Sequence, residues 1–170
     1  FMPIYMDRHN VEGITPEQLV EAHAMDLALQ DKHQVHFLSI WFDEEQGLSF
    51  CLAEAPDGEA VTHIHEETHG NVPTEVIEVD LEQVKAFLGR TEDPQHEKGA
   101  PPLAGIDSAF RVIMFTDMQD STATSMRYGD RKAFELLRAH DELSRRAIEE
   151  NNGLIVKHTG DGFMSAFSSV

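Results

Sequence analysis

The sequence predicts an α+β protein made of two unequal units. Two blocks with strand and helix periodicity are separated by a segment rich in proline, glycine and charged residues, which is typical of a linker. Charge also changes along the chain, because residues 1–80 hold 17 Asp/Glu against 2 Lys/Arg, whereas residues 81–170 hold 14 against 11. We therefore expect one domain over 1–89, a linker over 90–109 and a second domain over 110–170.

The first block predicts the element order strand, helix, strand, strand, helix, strand. The predicted elements are a strand over 4–9, a helix over 16–32, strands over 35–42 and 48–55, a helix over 57–69 and a strand over 76–79. Thr15 and Asp80 are expected to cap the first helix and a further helix over 81–88. This βαββαβ order is the ferredoxin-like pattern. We expect Phe37, Trp41 and Phe50 to lie on a sheet face that a partner subunit or the second domain covers.

The second block predicts a strand, two helices and two further strands, a βααββ order. Asp117 follows the apolar strand that begins at residue 110, and Asp161 follows the strand over 153–158. If these two strands pair, the two carboxylates meet. Paired carboxylates suit Mg²⁺ or Mn²⁺, which prefer oxygen ligands and commonly hold substrate phosphates. The block therefore predicts phosphoryl or nucleotidyl transfer, although an aspartate before glycine is also an ordinary turn signal.

The second block resembles the first half of a class III adenylate/guanylate cyclase catalytic domain. The resemblance rests on residues 115–122, 128–130 and 153–163, and on a helix that carries His140 and Arg145. It implies that Asp117 and Asp161 hold two Mg²⁺ or Mn²⁺ ions and that Lys157 selects ATP rather than GTP. The same resemblance implies that the Met118 carbonyl helps to hold these ions and that the backbone N–H groups of Gln119, Asp120, Ser121 and Thr122 bind the triphosphate.

The turn before the first helix of this block is expected to favour anions. Ser121 and Thr122 are plausible caps, and the N–H groups of a helix start attract phosphate. The family usually has glycine where this chain has Asp120, and a carboxylate there would repel phosphate. We therefore expect Asp120 to weaken nucleotide binding.

Histidines in the acidic first block indicate a metal site, since residues 1–80 hold seven of the ten histidines. His65 and His69 lie one helical turn apart in a His-Glu-x-x-His sequence, and Asp7 and His9 share one face of the first strand. A zinc protease is disfavoured because no third ligand follows the motif. Metal binding without hydrolysis is favoured, with His23 and His63 as further candidates. Cys51 is either a ligand or a small buried apolar residue.

The first block also resembles a family, the small nickel-binding, ferredoxin-like proteins of actinobacterial type. The resemblance covers nearly all of residues 2–79 and rests on the segments 5–9, 23–26, 41–47, 50–56 and 65–70. It implies a dimeric α+β barrel that binds divalent metal through histidines and carboxylates. Ni²⁺ or Zn²⁺ fits such donors, and Cu²⁺ would compete.

Composition excludes several classes of partner. A net charge of −18 argues against nucleic acid and anionic membranes. No apolar run approaches the ~20 residues that span a bilayer, and the single cysteine cannot form an internal disulfide. The start of the chain lacks the pattern of a signal peptide. We expect a cytoplasmic protein whose partners are ATP, divalent metal ions and a second copy of itself.

These patterns together predict a class III purine nucleotide cyclase, converting ATP to cyclic AMP, with a metal-binding domain that regulates and dimerises it. Because the sequence ends after the strand over 163–167, the family's second half is missing from it, and we expect this chain alone to be inactive. Two alternatives stay open. One is a metal-binding or metal-sensing protein with a vestigial cyclase segment, and the other is a scaffold in which that segment only mediates dimerisation.

Overall fold

The computed structural model of the protein describes residues 2–92 and 106–170. Its architecture is α+β, as the sequence predicts. It divides into two compact units, Phe1–Lys85 with Arg90–Phe110, and Ala86–Gly89 with Arg111–Val170. Most of the predicted linker lies outside the described residues, which omit 93–105. The assignment of a metal-binding domain to 1–89 and of a cyclase domain to 110–170 stays a prediction.

The first unit is built on a mixed five-stranded sheet. Its elements are β1 (Ile4–Asn10), α1 (Pro16–His33), β2 (His36–Asp43), β3 (Leu48–Glu54), α2 (Gly58–Thr68), β4 (Glu75–Glu78) and β5 (Asp107–Ser108). The strand order is β4-β1-β3-β2-β5. The pairs β1–β3, β1–β4 and β2–β3 are antiparallel, and only β5 pairs in parallel, with β2. The first four strands therefore have the predicted ferredoxin-like order.

Local capping explains where the helices of this unit begin. Thr15 Oγ1 accepts a hydrogen bond from Gln18 N–H at 3.3 Å, and the Gln18 side chain accepts one from Thr15 N–H at 3.0 Å. Such a reciprocal capping box satisfies two N–H groups that the helix leaves unpaired. Asp57 caps α2 by accepting from Ala60 N–H at 2.9 Å. After β4, α3 (Leu81–Leu88) begins where Asp80 accepts from Gln83 N–H, as predicted.

The core of the first unit lies between the sheet and helices α1 and α2. Its buried residues are Val11, Leu19, Val35, Phe37, Ile40, Phe42, Cys51, Ala53, Ala55, Val61 and Ile64. Phe37 belongs to this helix-side core, so the prediction that it shares one sheet face with Trp41 and Phe50 is wrong. The cause is a register shift in the β2–β3 pairing between Phe37 and Ser39, which breaks the simple alternation.

The second unit contains a three-stranded antiparallel sheet and two helices. Its elements are β6 (Val112–Phe115), α4 (Ser121–Tyr128), α5 (Asp130–Glu150), β7 (Leu154–His158) and β8 (Phe163–Phe167). The strand order is β6-β8-β7. Strands β6 and β7 do not pair directly, because β8 lies between them. The condition under which the sequence predicted that the two aspartates meet is therefore not the one that the structure uses.

A close backbone contact joins the end of β6 to the turn before β8. Thr116 N–H donates to Phe163 O at 2.9 Å, and Phe163 N–H donates to Thr116 Oγ1 at 2.9 Å. A Cβ added at Gly162 would lie 1.8 Å from Thr116 O, so only glycine fits there. This approach brings the β7–β8 turn, which carries Asp161, against the end of β6, where Asp117 lies.

Candidate functional site

A buried cluster of acidic and imidazole side chains lies in the first unit. Strand β1 supplies Asp7 and helix α2 supplies His65, and each side chain is about 1% exposed. His65 Nε2 lies 2.9 Å from Asp7 Oδ2, and His65 Nδ1 lies 3.2 Å from Asp26 Oδ2. Asp26, on α1, is also buried. His65 is therefore held between two carboxylates, one at each ring nitrogen. We call the group Asp7, His9, Asp26, His65 and His69 the His65 cluster.

His69 completes one side of the cluster. It is the residue that ends α2, and its Nε2 lies 3.2 Å from Asp26 Oδ2 and 3.3 Å from His65 Nδ1. Its other nitrogen, Nδ1, accepts a hydrogen bond from Asn71 N–H at 3.2 Å. The Asn71 bond assigns the ring proton of neutral His69 to Nε2, the nitrogen that faces the cluster.

His9 lies on the other side of the cluster and is 3% exposed. Its Nε2 is 3.2 Å from Asp7 Oδ1, without the geometry of a hydrogen bond. Neither ring nitrogen of His9 has a hydrogen-bond partner within the described part of the chain. Because buried polar atoms are rarely left unpaired, such a histidine indicates a ligand that completes its bonding.

A cavity of about 140 Å³ adjoins these side chains. Its lining residues are His9, Ile14, Leu19, Ala22, His23, Asp26, Ile40, Ser49, Cys51, His65, His69 and Asn71. The polar end of the cavity thus faces the imidazole rings, and the rest is apolar. A space of this kind can admit an ion with few waters, and imidazole with carboxylate donors suits Ni²⁺, Cu²⁺ or Zn²⁺.

The protonation state of the cluster follows from its charges. Burial disfavours ionisation of Asp7, but the His65 and His9 side chains outweigh it, and the pKa of Asp7 is held well below its ordinary value. Burial likewise opposes ionisation of Asp26, yet His65 and His69 lower the pKa of Asp26. Burial opposes the charge of His65, but hydrogen bonds with Asp26 and Asp7 raise the pKa of His65 to about 9. Without metal, His65 is thus an imidazolium between two carboxylates at neutral pH.

Stability of the first unit should depend on pH through these groups. Since the pKa of His65 is raised from 6.5 to about 9, its contribution is full below pH 6.5 and lost as pH rises to about 9. The loss should be roughly 3 kcal/mol. Asp7 and Asp26 have lowered pKa values, so their contribution is present above about pH 4 and lost in acid.

Urea unfolding of the metal-free chain at several pH values measures this profile. We expect a maximum between about pH 4 and 6.5. The exposed His63→Ala variant should keep the same profile, whereas a stability that is flat from pH 6.5 to 9 in the wild type would contradict the assignment of a charged His65.

The structure places Asp7, His9, His65 and His69, the metal ligands predicted from the sequence, together in the cluster. That they bind a metal ion stays a prediction. His23 lines the cavity, whereas the His63 side chain is 66% exposed beside Glu66 and lies outside the cluster. Asp26 was missed. Its signal was the helical spacing to His23, which places both residues on the buried face of α1.

In the second unit the two predicted aspartates do come together. Ser121 Oγ donates a hydrogen bond to Asp161 Oδ2 at 2.6 Å. This bond first, and then the nearby Asp117 side chain, lower the pKa of Asp161. Two carboxylates and a hydroxyl therefore meet where β6, the start of α4 and the β7–β8 turn converge. Such an oxygen-only donor set suits Mg²⁺ or Mn²⁺.

The β7–β8 turn is positioned by His158. Gly160 N–H donates to His158 Nδ1 at 3.2 Å, so the other nitrogen, Nε2, carries the proton that it shares with Asp141 Oδ1 at 2.7 Å. The His158 ring also meets Phe163 edge to face, with centroids 4.9 Å apart. These contacts tie the Asp161 turn to helix α5.

Helix α4 begins differently from the prediction. Ser121 and Thr122 were expected to cap it, but the N-cap is Asp120, at φ 56° and ψ 35°, without a side-chain cap hydrogen bond. Ser121 instead directs its hydroxyl to Asp161. Asp120 therefore adopts the left-handed conformation that glycine tolerates best.

Replacing Asp120 by glycine should leave the fold intact and improve nucleotide binding. Relief of the left-handed backbone offsets the lost attraction of a carboxylate for the helix start, so the free energy of unfolding should change by less than about 1 kcal/mol. Removing the negative charge should raise affinity for Mn²⁺-ATP by roughly fivefold at low salt.

Competition binding with a fluorescent ATP analogue measures the gain. Asp120→Asn is the matched variant, because asparagine also tolerates this conformation and carries no charge. We expect both variants to gain equally, and an unchanged affinity in both would show that the Asp120 carboxylate points away from the nucleotide.

The remaining predicted residues of the second unit lie in three places. Met118, Ser121 and Thr122 line a groove of about 530 Å³ together with Asp161, and Gln119 and Asp120 form the exposed turn before α4. Lys157 is exposed on β7 and forms no ion pair within the described residues. The base-selecting role of Lys157 stays a prediction.

The described residues contain no helix with both the length and the hydropathy needed to cross a membrane.

Comparison with known proteins adds a family and three solved structures. Residues 5–79 match the family model described as nickel responsive protein SCO4226-like. No curated protein matches the chain.

The crystal structure of SCO4226 from Streptomyces coelicolor A3(2) is similar to the chain, with 42% identity over 46% of this chain and 96% of that one, at a TM-score of 0.44. Two structures of bacterial light-regulated adenylyl cyclases match 98% and 97% of this chain, with 13% and 11% identity and TM-scores of 0.32 and 0.31. The chain spans 60% and 59% of the length of these cyclases.

Proposed function

Because the chain, through residues 5–79, belongs to the SCO4226-like nickel-responsive family, we propose that its first unit binds a divalent metal ion, Ni²⁺ or Zn²⁺, at the His65 cluster. The observation that carries this proposal is His9, a buried imidazole without a hydrogen-bond partner in the described residues, beside a cavity that His65 and His69 also line. The imidazole and carboxylate donors fit either ion.

Different residues around the cavity make different contributions to binding of the metal ion. Asp7 and Asp26 hold His65 from opposite sides and balance the charge of an arriving cation. The Asn71 N–H group holds His69 with protonated Nε2 towards the cluster in the metal-free protein. An ion bound at Nε2 would displace this proton, so the ring would move its proton to Nδ1 and release Asn71. The apolar remainder of the cavity limits water, which strengthens the attraction between the ion and the carboxylates. A bound ion would link β1, α1 and α2, the elements that supply these side chains.

Calorimetric titration of the 170-residue chain with Ni²⁺ and Zn²⁺ tests this function. The wild type and His63→Ala, whose imidazole is on the same helix but exposed, should bind equally. The His65→Ala/His69→Ala variant should not bind at this site, and His69→Ala alone should bind more weakly with the least effect on folding. Equal heats for the wild type and the double variant would show that the His65 cluster does not bind the metal ion.

Metal affinity should rise steeply over an unusual pH range. An ion must displace the proton of His65, whose pKa is raised to about 9 because Asp26 and Asp7 stabilise the imidazolium. We expect affinity to increase by up to about tenfold per pH unit from pH 6.5 to 9, whereas an ordinary histidine would be deprotonated above pH 6.5. The same titrations at several pH values measure the slope, and a plateau above pH 7 would contradict this coupling.

For the second unit we propose the nucleotide- and metal-binding half of a class III purine nucleotide cyclase. The convergence of Asp117, Asp161 and Ser121 at the start of α4 supports it. Mg²⁺ or Mn²⁺ bound to the carboxylates would neutralise charge that develops on the reacting phosphate. N–H groups near the start of α4 would bind the other phosphates, and Lys157 would contact adenine.

Metal binding in the first unit could regulate the cyclase activity proposed for the second. We propose that the first unit dimerises the protein and that metal occupancy there sets the activity of a complete cyclase domain. The test is cyclic AMP formation from ATP with Mn²⁺ by a form that includes the remaining cyclase strands, measured with and without Ni²⁺. Activity that does not respond to Ni²⁺ would favour two independent functions. Metal binding without any cyclic nucleotide, even after Asp120→Gly, would favour a metal sensor with a vestigial cyclase segment.

A further inference from the structure

The cavity beside the His65 cluster also contains a thiol. Cys51 is the single cysteine of the chain, and it is buried on β3. One donor atom from each of Asp7, His9, Cys51 and His65 lies within 4.8 Å of the others. Donors around one tetrahedral ion lie roughly 3–4 Å apart, as follows from bond lengths near 2.0–2.3 Å. Small side-chain rotations would therefore bring these four donors to one ion.

The position of Asp7 links the thiol to the cluster. Cys51 pairs with Asp7 across β1 and β3, and Cys51 N–H donates to Asp7 Oδ1 at 3.1 Å. Across this strand pair, side chains at opposite positions lie on the same face of the sheet. Cys51 therefore lies on the face that also carries His9, two residues after Asp7.

His9 gives the independent sign of a ligand at this place. It is 3% exposed, lines the cavity with Cys51, and has no hydrogen-bond partner at either ring nitrogen among the described residues. Asp7 alone does not satisfy it, since the 3.2 Å contact lacks hydrogen-bond geometry. A cation between His9 and Cys51 would give the buried His9 ring a bonding partner.

Resting on the proposal that the first unit binds a divalent metal, we infer that the site has two subsites that share His65, and that the Cys51 thiolate is a ligand of the inner one. The inner subsite consists of Asp7, His9, Cys51 and His65, and the outer one of Asp26, His65 and His69. His65 presents Nε2 to the side of Asp7 and Nδ1 to the side of Asp26. The thiol proton passes to solvent when the sulfur binds the ion.

The thiolate decides which ions the inner subsite accepts. Sulfur with imidazole favours Ni²⁺, Zn²⁺ and copper, whereas Mg²⁺, Mn²⁺ and Ca²⁺ prefer oxygen. The Asp117–Asp161 pair in the second unit offers carboxylates and a hydroxyl instead. The chain would thus separate a soft-metal site from a Mg²⁺ or Mn²⁺ site by donor chemistry alone.

The competing interpretation is that Cys51 only fills the core, where it packs among the apolar residues of the helix side of the sheet. Absorption spectra distinguish a Cys51 thiolate that binds metal from a Cys51 thiol that only fills the core. The full 170-residue chain is titrated with Ni²⁺ and with Co²⁺, and the near-ultraviolet thiolate-to-metal charge-transfer band is recorded. We expect the band in the wild type and in His63→Ala, with a plateau once the site is filled, and its complete loss in Cys51→Ser.

A second measurement does not depend on how that variant folds. Because the chain has one cysteine, the alkylation rate of the wild-type thiol reports on Cys51 directly. A saturating concentration of Zn²⁺ should slow alkylation at least tenfold, and the same concentration of Mg²⁺ should not. If calorimetry shows metal binding but no charge-transfer band forms and Zn²⁺ leaves alkylation unchanged, the inner subsite is overturned and the proposed metal-binding function stands. If the chain binds neither Ni²⁺ nor Zn²⁺, both are overturned.

Discussion

Replacing His65 by alanine is expected to lower the free energy of unfolding of the metal-free protein by about 3–5 kcal/mol, the range for breaking a buried ion pair. His65 contacts Asp7 at 2.9 Å and Asp26 at 3.2 Å, and all three side chains are buried. Without the imidazolium, two carboxylates with lowered pKa values lose their counter-charge in a site that water hardly reaches. The variant must either protonate them or open the cavity.

Urea unfolding at pH 6 of the wild type, His65→Ala and the control His63→Ala measures this cost. His63 is on the same helix and its side chain is 66% exposed, so its variant should differ by less than about 0.5 kcal/mol. Adding Asp7→Asn to His65→Ala should recover part of the loss, because it removes one uncompensated charge. A loss below about 1 kcal/mol for His65→Ala would show that the imidazole is not the counter-ion of these carboxylates.

Replacing either aspartate of the second unit is expected to disable the metal site that we propose there. Asp117→Asn or Asp161→Asn keeps the shape of the side chain but removes a charged oxygen donor. Mn²⁺ affinity should fall at least about tenfold, the loss seen even for groups that only support metal ligands. In a form with a complete cyclase domain, cyclic AMP formation should fall by more than about 100-fold, as when one group that stabilises a transition state is removed.

Electron paramagnetic resonance of free Mn²⁺ measures the first effect, and product formation from ATP measures the second. Glu150→Gln is the control, because it removes an exposed carboxylate at the end of α5. Equal Mn²⁺ binding by the wild type and both aspartate variants would exclude the pair as a metal site, and retained activity in either variant would place the essential carboxylates elsewhere.

The sequence predicts the first unit well because charged and imidazole side chains recur there with the spacing of one strand face or one helix face. Asp7 and His9 alternate to one face of a strand, and His65 and His69 are one helical turn apart, so each pair is visible locally. Cys51 is not visible in this way, and for Asp26 the spacing to His23 shows only that the two residues share one face of a helix. Each reaches the cluster through the packing of α1 and β3 against β1, and a single sequence does not state which faces will meet.

In the second unit the sequence predicts the pair of aspartates but not how they meet. Asp161 comes next to Asp117 through β8, whose glycine at 162 allows contact with the backbone of Thr116, and not through direct pairing of β6 with β7. The capping prediction was wrong for a similar reason. Ser121 has a partner, Asp161, that lies forty positions away in the chain, and this tertiary bond replaces the local cap.

We propose that the His65 cluster is the metal site of the first unit. Diffraction data collected on crystals of the nickel-loaded chain at the nickel absorption edge test it most directly, since the anomalous signal locates the ion without reference to any ligand assignment. If the cluster binds the ion, we expect an anomalous peak in the cavity lined by His9, Cys51, His65 and His69. A strong peak only at exposed histidines such as His63, with none in the cavity, would contradict it.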